Sequence, residues 1–179
     1  MEFINKIETT AAGWAKNLPH LPVSAQKWLS ANVWWIALIG AILTLLTTFI
    51  WLILLLIGGF AASYIFVIDP YHQTVVNISS FVSLAFAAAQ GLILALAVKP
   101  LQAQKRQGWD LLFFALLLHG VAIAVGVIFS IVLIDFLGVF GGVVFGALGL
   151  AVGAYFLFEI HGQFAHVRTT KTAKTAKKA

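Results

Sequence analysis

Four apolar runs limit this chain more than anything else in it: Val33 to Ile68, Thr74 to Val98, Trp109 to Ile134 and Phe136 to Ile160. A helix needs about 20 apolar residues to cross roughly 30 Å of hydrocarbon, and every run is longer than that. None alternates apolar with polar residues, which argues against barrel strands. With 61% hydrophobic and only 9% charged residues, too little polar surface remains for a soluble sphere of this size. The chain is therefore expected to be all-α, a polytopic membrane protein with four transmembrane helices over residues 33–162. A cytoplasmic or interfacial amphipathic segment (1–32) precedes them, and a basic, disordered cytoplasmic tail (163–179) follows.

The run from Val33 to Ile68 is long for one span and short for two. It contains Gly58 and Gly59, so it reads either as one kinked helix or as a span followed by an interfacial segment, "FAASYIFVI". Charge decides against two crossings. All eleven Lys and Arg fall in three segments: Lys6, Lys16 and Lys27; Lys99, Lys105 and Arg106; and Arg168, Lys171, Lys174, Lys177 and Lys178. Four spans place these segments on one side, and "DPYHQ" and the turn near Asp135, which carry no cation, on the other. Positive charge favours the cytoplasmic side, so both termini are expected there and the protein in the cell membrane.

The stretch "KPLQAQKRQGWDLLFF", residues 99–114, is then the cytoplasmic loop between the second and third spans. Pro100 is expected to end one helix and Gly108 to let the chain turn. Trp109 is expected at the interface, and Asp110 in the first turn of the next helix, paired with Lys or Arg. Lys99, Lys105 and Arg106 make the loop a topological anchor; the alternative is a docking site for a cytoplasmic partner.

This stretch, together with "SANVWW" at the start of the first span, resembles a group of small, uncharacterised multi-span bacterial integral membrane proteins. The resemblance covers those two motifs and the general layout, and implies neither an activity nor functional residues.

Before the first span, Phe3, Ile4, Ile7, Ala11, Trp14 and Leu18 recur at helical spacing, as in a helix lying in the membrane interface; a disordered leader is the alternative. The apolar run begins too late and is too long for a signal peptide. "LPHLP" breaks the pattern, and Ser24 is expected to cap a second short helix, "AQKWLS". The tail "RTTKTAKTAKKA" has spaced cations without apolar partners, which suits association with anionic lipid headgroups. Nucleic acid is not favoured as a partner, because no aromatic residue is interleaved for stacking.

Gly138, Gly142, Gly146, Gly149 and Gly153 fall on one face of the fourth span. Such a face lets another helix approach closely, either within the chain or, as the next reading, from a second copy in a homo-oligomer. Three polar side chains are expected at one depth near the midplane: His119, about 15 Å from the Trp109 end of its span, Gln90, about 12 Å from the same face, and Thr44, about 16 Å. They read as interhelical hydrogen bonding or, alternatively, as a polar constriction in a permeation path.

Chemistry has little to work with. Glu2, Glu8, Asp69, Asp110, Asp135 and Glu159 are the only carboxylates, all outside the spans or within about two turns of an end. Cysteine is absent. His20, His72, His119, His161 and His166 form no i, i+4 metal pair, and Glu159 and His161 read as an interfacial edge, not a dyad. No catalytic residue, metal or cofactor is expected. A structural or accessory membrane protein is the first reading, a small channel or transporter the second, and a membrane-bound enzyme the third.

Overall fold

In a computed structural model, Thr10, Gly13, residues 19–65 and residues 70–164 are described. The expected interfacial helix over Phe3 to Leu18 and the basic tail beyond residue 164, with His166, lie largely or wholly outside them. The described chain is all-helical: α1 (Val23–Ile65), α2 (Pro70–Gln102), α3 (Arg106–Val132) and α4 (Phe136–Glu159). All four are long and apolar enough to cross a membrane, and together they make a multi-pass membrane protein. Large apolar side chains such as Ile42, Phe49, Ile128, Phe145 and Leu148 cover the outside of the bundle, where lipid is the solvent.

Each helix packs on the next, α1 on α2, α2 on α3 and α3 on α4, while α1 and α4 have no extended contact. The pairings run antiparallel, as the small residues show. Gly40 faces Leu94 while Gly91 faces Leu45, and Gly142, Gly146 and Gly153 face Val127, Ile123 and Leu116 in turn. One end of the bundle gathers the start of α1, the α2–α3 turn and the close of α4. It carries Lys27, Lys99, Lys105 and Arg106, which are all the Lys and Arg among the described residues, and is called the basic end below.

The first apolar run, as far as Ile65, is part of a single helix of 43 residues that continues through Gly58 and Gly59. At 1.5 Å per residue it is about 65 Å long, roughly twice the hydrocarbon thickness. It also absorbs the expected short helix "AQKWLS" and crosses the expected boundary at residue 32. Ser24 is not its cap. The Pro22 carbonyl, one residue before the helix, accepts from the Ala25 and Gln26 amides at 2.8 and 3.1 Å, which places Ser24 inside the first turn.

The α2–α3 turn also differs from expectation. Pro100 lies within α2, which ends at Gln102. Termination falls to Gln104, at φ 47°, in the left-handed region. The Lys105 amide bonds back to the Pro100 carbonyl and the Gln104 amide to that of Leu101, both at 2.9 Å. This 6→1 and 5→2 pair closes the helix, so the missing N–H of Pro100 does not have to. Ile134, at φ 56°, ends α3 in the same way, with Asp135 bonding the Ser130 carbonyl and Ile134 that of Ile131. Asp135 then caps α4 by accepting from the Gly138 amide at 3.0 Å.

Gly108 is therefore a contact residue and not the turn. It is buried in the first turn of α3, where a Cβ would stand 2.7 Å from the Leu101 backbone nitrogen. Because α3 starts at Arg106, Asp110 falls beyond its first turn and pairs with Arg106 one turn back, Nε to Oδ1 2.8 Å. The buried core sits at this end: Val33, Ala37, Ala97, Val98, Leu101, Trp109, Phe113, Leu157, Ile160 and Phe164. Phe164 is 1% exposed, so the packed part of the chain reaches past the boundary expected at residue 163.

Candidate functional site

Trp109, expected at the interface, lies at the basic end of α3 and is fully buried against the protein. The indole N–H explains how lipid-like surroundings tolerate it, because it donates to the Leu157 carbonyl at 2.8 Å. Leu157 lies in the last turn of α4, where carbonyls lack helical partners, so one bond satisfies two groups. Phe113 stacks on the indole with centroids 5.3 Å apart, and Phe158 meets it edge-on at 5.8 Å. Arg106 lies over the indole with Cζ 4.3 Å from the ring centroid, a favourable place for a guanidinium. It also donates to His161 Nε2 at 2.7 Å, while the imidazole contacts the indole edge-on at 4.7 Å. The loop cation, the buried indole and the chain after α4 thus form one unit.

Glu159, 8% exposed, anchors a second unit. Its carboxylate accepts from His20 Nδ1 at 2.7 Å, from the Leu21 amide at 2.8 Å and from Gln26 Nε2 at 3.0 Å. The Gln26 amide group also donates to the Leu21 carbonyl at 3.1 Å, and Tyr155 Oη donates to the Pro19 carbonyl at 2.8 Å. Glu159 and His161 do diverge, one toward the chain before α1 and the other toward Arg106. Neither is a bare interfacial edge, because each holds a different segment against the end of α4.

Halfway along the bundle, His119 Nδ1 lies 3.2 Å from Gln90 Oε1 and links α3 to α2. His119 has thirteen residues of α3 on either side of it. Both side chains line an otherwise apolar cavity of about 470 Å³ to which all four helices contribute, in the gap between α1 and α4. Thr44 does not join them. It lies one turn beyond Gly40, the last α1 residue of that cavity, and lines a separate groove between α1 and α2. Thr44 shares the helix face of Gly40 and is separated from the pair by one turn along α1, where the space between the helices belongs to the other groove.

That groove, about 840 Å³, is lined by Thr44, Thr47 and Thr48 of α1 and by Gln73, Asn77, Ser79, Ser80 and Ser83 of α2. The described hydrogen bonds here stay within each helix. Thr48 donates to the Thr44 carbonyl at 2.7 Å, Ser79 and Ser80 to that of Val76, and Gln73 to Asn77. Leu45 and Gly91 close the two helices together beside the groove, where a Cβ on Gly91 would come within 2.8 Å of the leucine.

The five glycines of α4 divide. Gly142, Gly146 and Gly153 meet α3 so closely that a Cβ would lie 2.8 to 3.0 Å from Val127, Ile123 and Leu116, and Gly138 sits under Ser130 and Asp135. Gly149 has nothing within 4 Å of its Cβ position and opens on the cavity instead. Its spacing places it on the same stripe as the other four, but at its level no α3 side chain comes within 4 Å. Among the described residues no group of three His, Asp or Glu could hold a metal ion. The chain matches no protein-family model, no curated protein and no solved structure.

Proposed function

We propose that the protein is a structural or accessory component of the cell membrane, crossing it four times with both termini in the cytoplasm and without enzymatic activity of its own. The observation that carries this reading is the use made of Glu159. The one buried carboxylate among the described residues accepts three hydrogen bonds, from His20 and Leu21 before α1 and from Gln26 in its first turn, and so serves packing. Trp109 and Arg106 are likewise engaged within the fold. Lys99 and Lys105 remain at the surface of the same end, suited to anionic headgroups at the cytoplasmic face. The tail cations would add to that attraction.

Topology is the first test. In the cysteine-free chain, Tyr71→Cys is expected to react with an impermeant thiol reagent from outside intact cells and Thr175→Cys only after permeabilisation. Equal labelling of both from outside would overturn the arrangement.

A second reading, a small channel or transporter, draws support from the hydroxyl-lined groove and its closure at Leu45 and Gly91. Ion and small-solute flux in proteoliposomes separates the two. Background flux in both wild type and Leu45→Ala supports the structural reading. Flux that rises in Leu45→Ala would replace it with transport.

A further inference from the structure

The cavity between α1 and α4 has the attributes of a ligand site that the structural reading leaves unused. Its volume of about 470 Å³ falls within the roughly 300–1,000 Å³ usual for small-molecule sites, which are mostly apolar with a few convergent polar groups. Its lining is apolar apart from His119 and Gln90, with no charged side chain. Along α4 it runs from Gly149 to Ile160, a length of about 16 Å at 1.5 Å per residue. Its rim faces lipid: Ile36 is 56% and Phe156 45% exposed, and Gly149 is exposed beside them. A ligand entering here comes from the membrane and presents an alkyl chain to the walls.

The polar pair specifies the other end. A glutamine oxygen only accepts, so in the bond to Gln90 Oε1 the His119 Nδ1 carries the proton. In the neutral ring Nε2 is then an acceptor, and the Gln90 NH₂ group retains donors. A hydroxyl matches the free ring nitrogen by donating to Nε2, on the side of the imidazole away from Gln90. A carboxylate or phosphate does not, because it would bring a charge into a cavity without a countercharge. We propose that this cavity binds a single-chain lipophilic alcohol, its chain along α4 and its hydroxyl on His119, whose ring Gln90 orients. The proposal stands apart from the structural reading, since a packing protein with or without this ligand would have the same topology.

The test is photolabelling of the full-length protein in liposomes with a diazirine-bearing hexadecanol, competed by unlabelled hexadecanol or hexadecane. Adducts are expected on cavity residues such as Leu94 and Leu116, and hexadecanol should suppress them at least about tenfold more effectively than hexadecane, the worth of one hydrogen bond near the top of its usual range. Gly149→Leu fills the cavity from a position with open space around it, and should abolish competable labelling while helical content and melting temperature stay near wild type. His119→Leu should reduce the advantage of the alcohol over the alkane. Competition by hexadecane equal to that by hexadecanol, labelling confined to the outer faces, or unchanged labelling in a folded Gly149→Leu would each overturn the proposal.

Discussion

Gly108→Ala and Gly149→Ala are the same substitution in helices of the same chain, yet their effects should have opposite signs. In a helix interior glycine costs about 0.5 to 1 kcal/mol relative to alanine, so intrinsic preference alone favours alanine at both. At Gly149 nothing lies within 4 Å of the new Cβ, and the full gain should appear. At Gly108 the Cβ would stand 2.7 Å from the Leu101 backbone nitrogen and 2.9 Å from the leucine Cγ and Cδ2. Leu101 is 1% exposed and shares the core with Trp109, so it cannot swing aside, and the last turn of α2 must move away from α3. Forcing an extra carbon into such a contact costs about 1 to 3 kcal/mol. The net effect at Gly108 is then a loss of roughly 1 kcal/mol, and the two variants differ by about 2. For a chain of this size that corresponds to roughly 4 to 8 °C in melting temperature. Thermal unfolding in one detergent, followed by loss of helical circular dichroism, measures it directly. A Gly108→Ala protein that melts at or above Gly149→Ala would refute the account of the α2–α3 contact.

Glu159→Leu removes the acceptor for His20, Leu21 and Gln26, and should speed hydrogen exchange at the Leu21 amide by at least about tenfold, one charge-assisted hydrogen bond being worth roughly 1.5 to 3 kcal/mol. Glu159→Gln retains an accepting oxygen and should give a smaller increase; equal exchange in both variants and wild type would mean that the carboxylate does not hold this segment. His119→Leu strips Gln90 of its partner and should lower stability by about 1 to 3 kcal/mol, less if Gln90 finds another group, while His119→Gln should retain more of it. Identical denaturation midpoints for the two would exclude an interhelical bond at this position. Gly146→Leu, which must displace Ile123 from 2.8 Å, should lower the melting temperature far more than Gly149→Leu, and equal losses would mean that α4 does not meet α3 as described.

The number and order of the spanning helices could be read from the sequence because both depend on local hydropathy, which a bilayer makes decisive; their lengths could not, since α1 and α2 run on past their apolar stretches. The role of individual residues at the helix ends could not. Pro100 and Gly108 carry strong local signals for a break and a turn, yet Gln104, with no such signal, makes the turn, and Gly108 serves a contact between helices. Trp109 has the chemistry of an interfacial residue; only the carbonyl offered by Leu157 of a different helix lets it go inside. Glu159 shows the same dependence from the other direction, since its partners are more than 130 positions away. One missed feature was legible. Gln73, Asn77, Ser80 and Ala87 recur at helical spacing along α2, and Thr44, Thr48 and Trp51 along α1, two stripes that line the groove between those helices.

The distribution of these groups follows from what lipid does to association. Burying apolar surface against another helix gains little when lipid tails are equally apolar, so helices hold together where they fit closely or exchange hydrogen bonds. At the basic end both conditions are met. Gly108 admits Leu101, Trp109 bonds Leu157, and Arg106 and Glu159 tie the loop and the chain before α1 to the close of α4. Toward the other end α3 and α4 still fit through Gly142 and Gly146, while past the contact of Leu45 with Gly91 a groove separates α1 from α2, and the hydroxyls of Thr48, Ser79 and Ser80 that line it or border it bond within their own helices. A hydroxyl satisfied by its own helix contributes nothing to holding the next one. The two cavities therefore lie one beyond the other along the same face of α1, and any opening or filling of the bundle should be expressed as movement of α1 against the rest of the bundle.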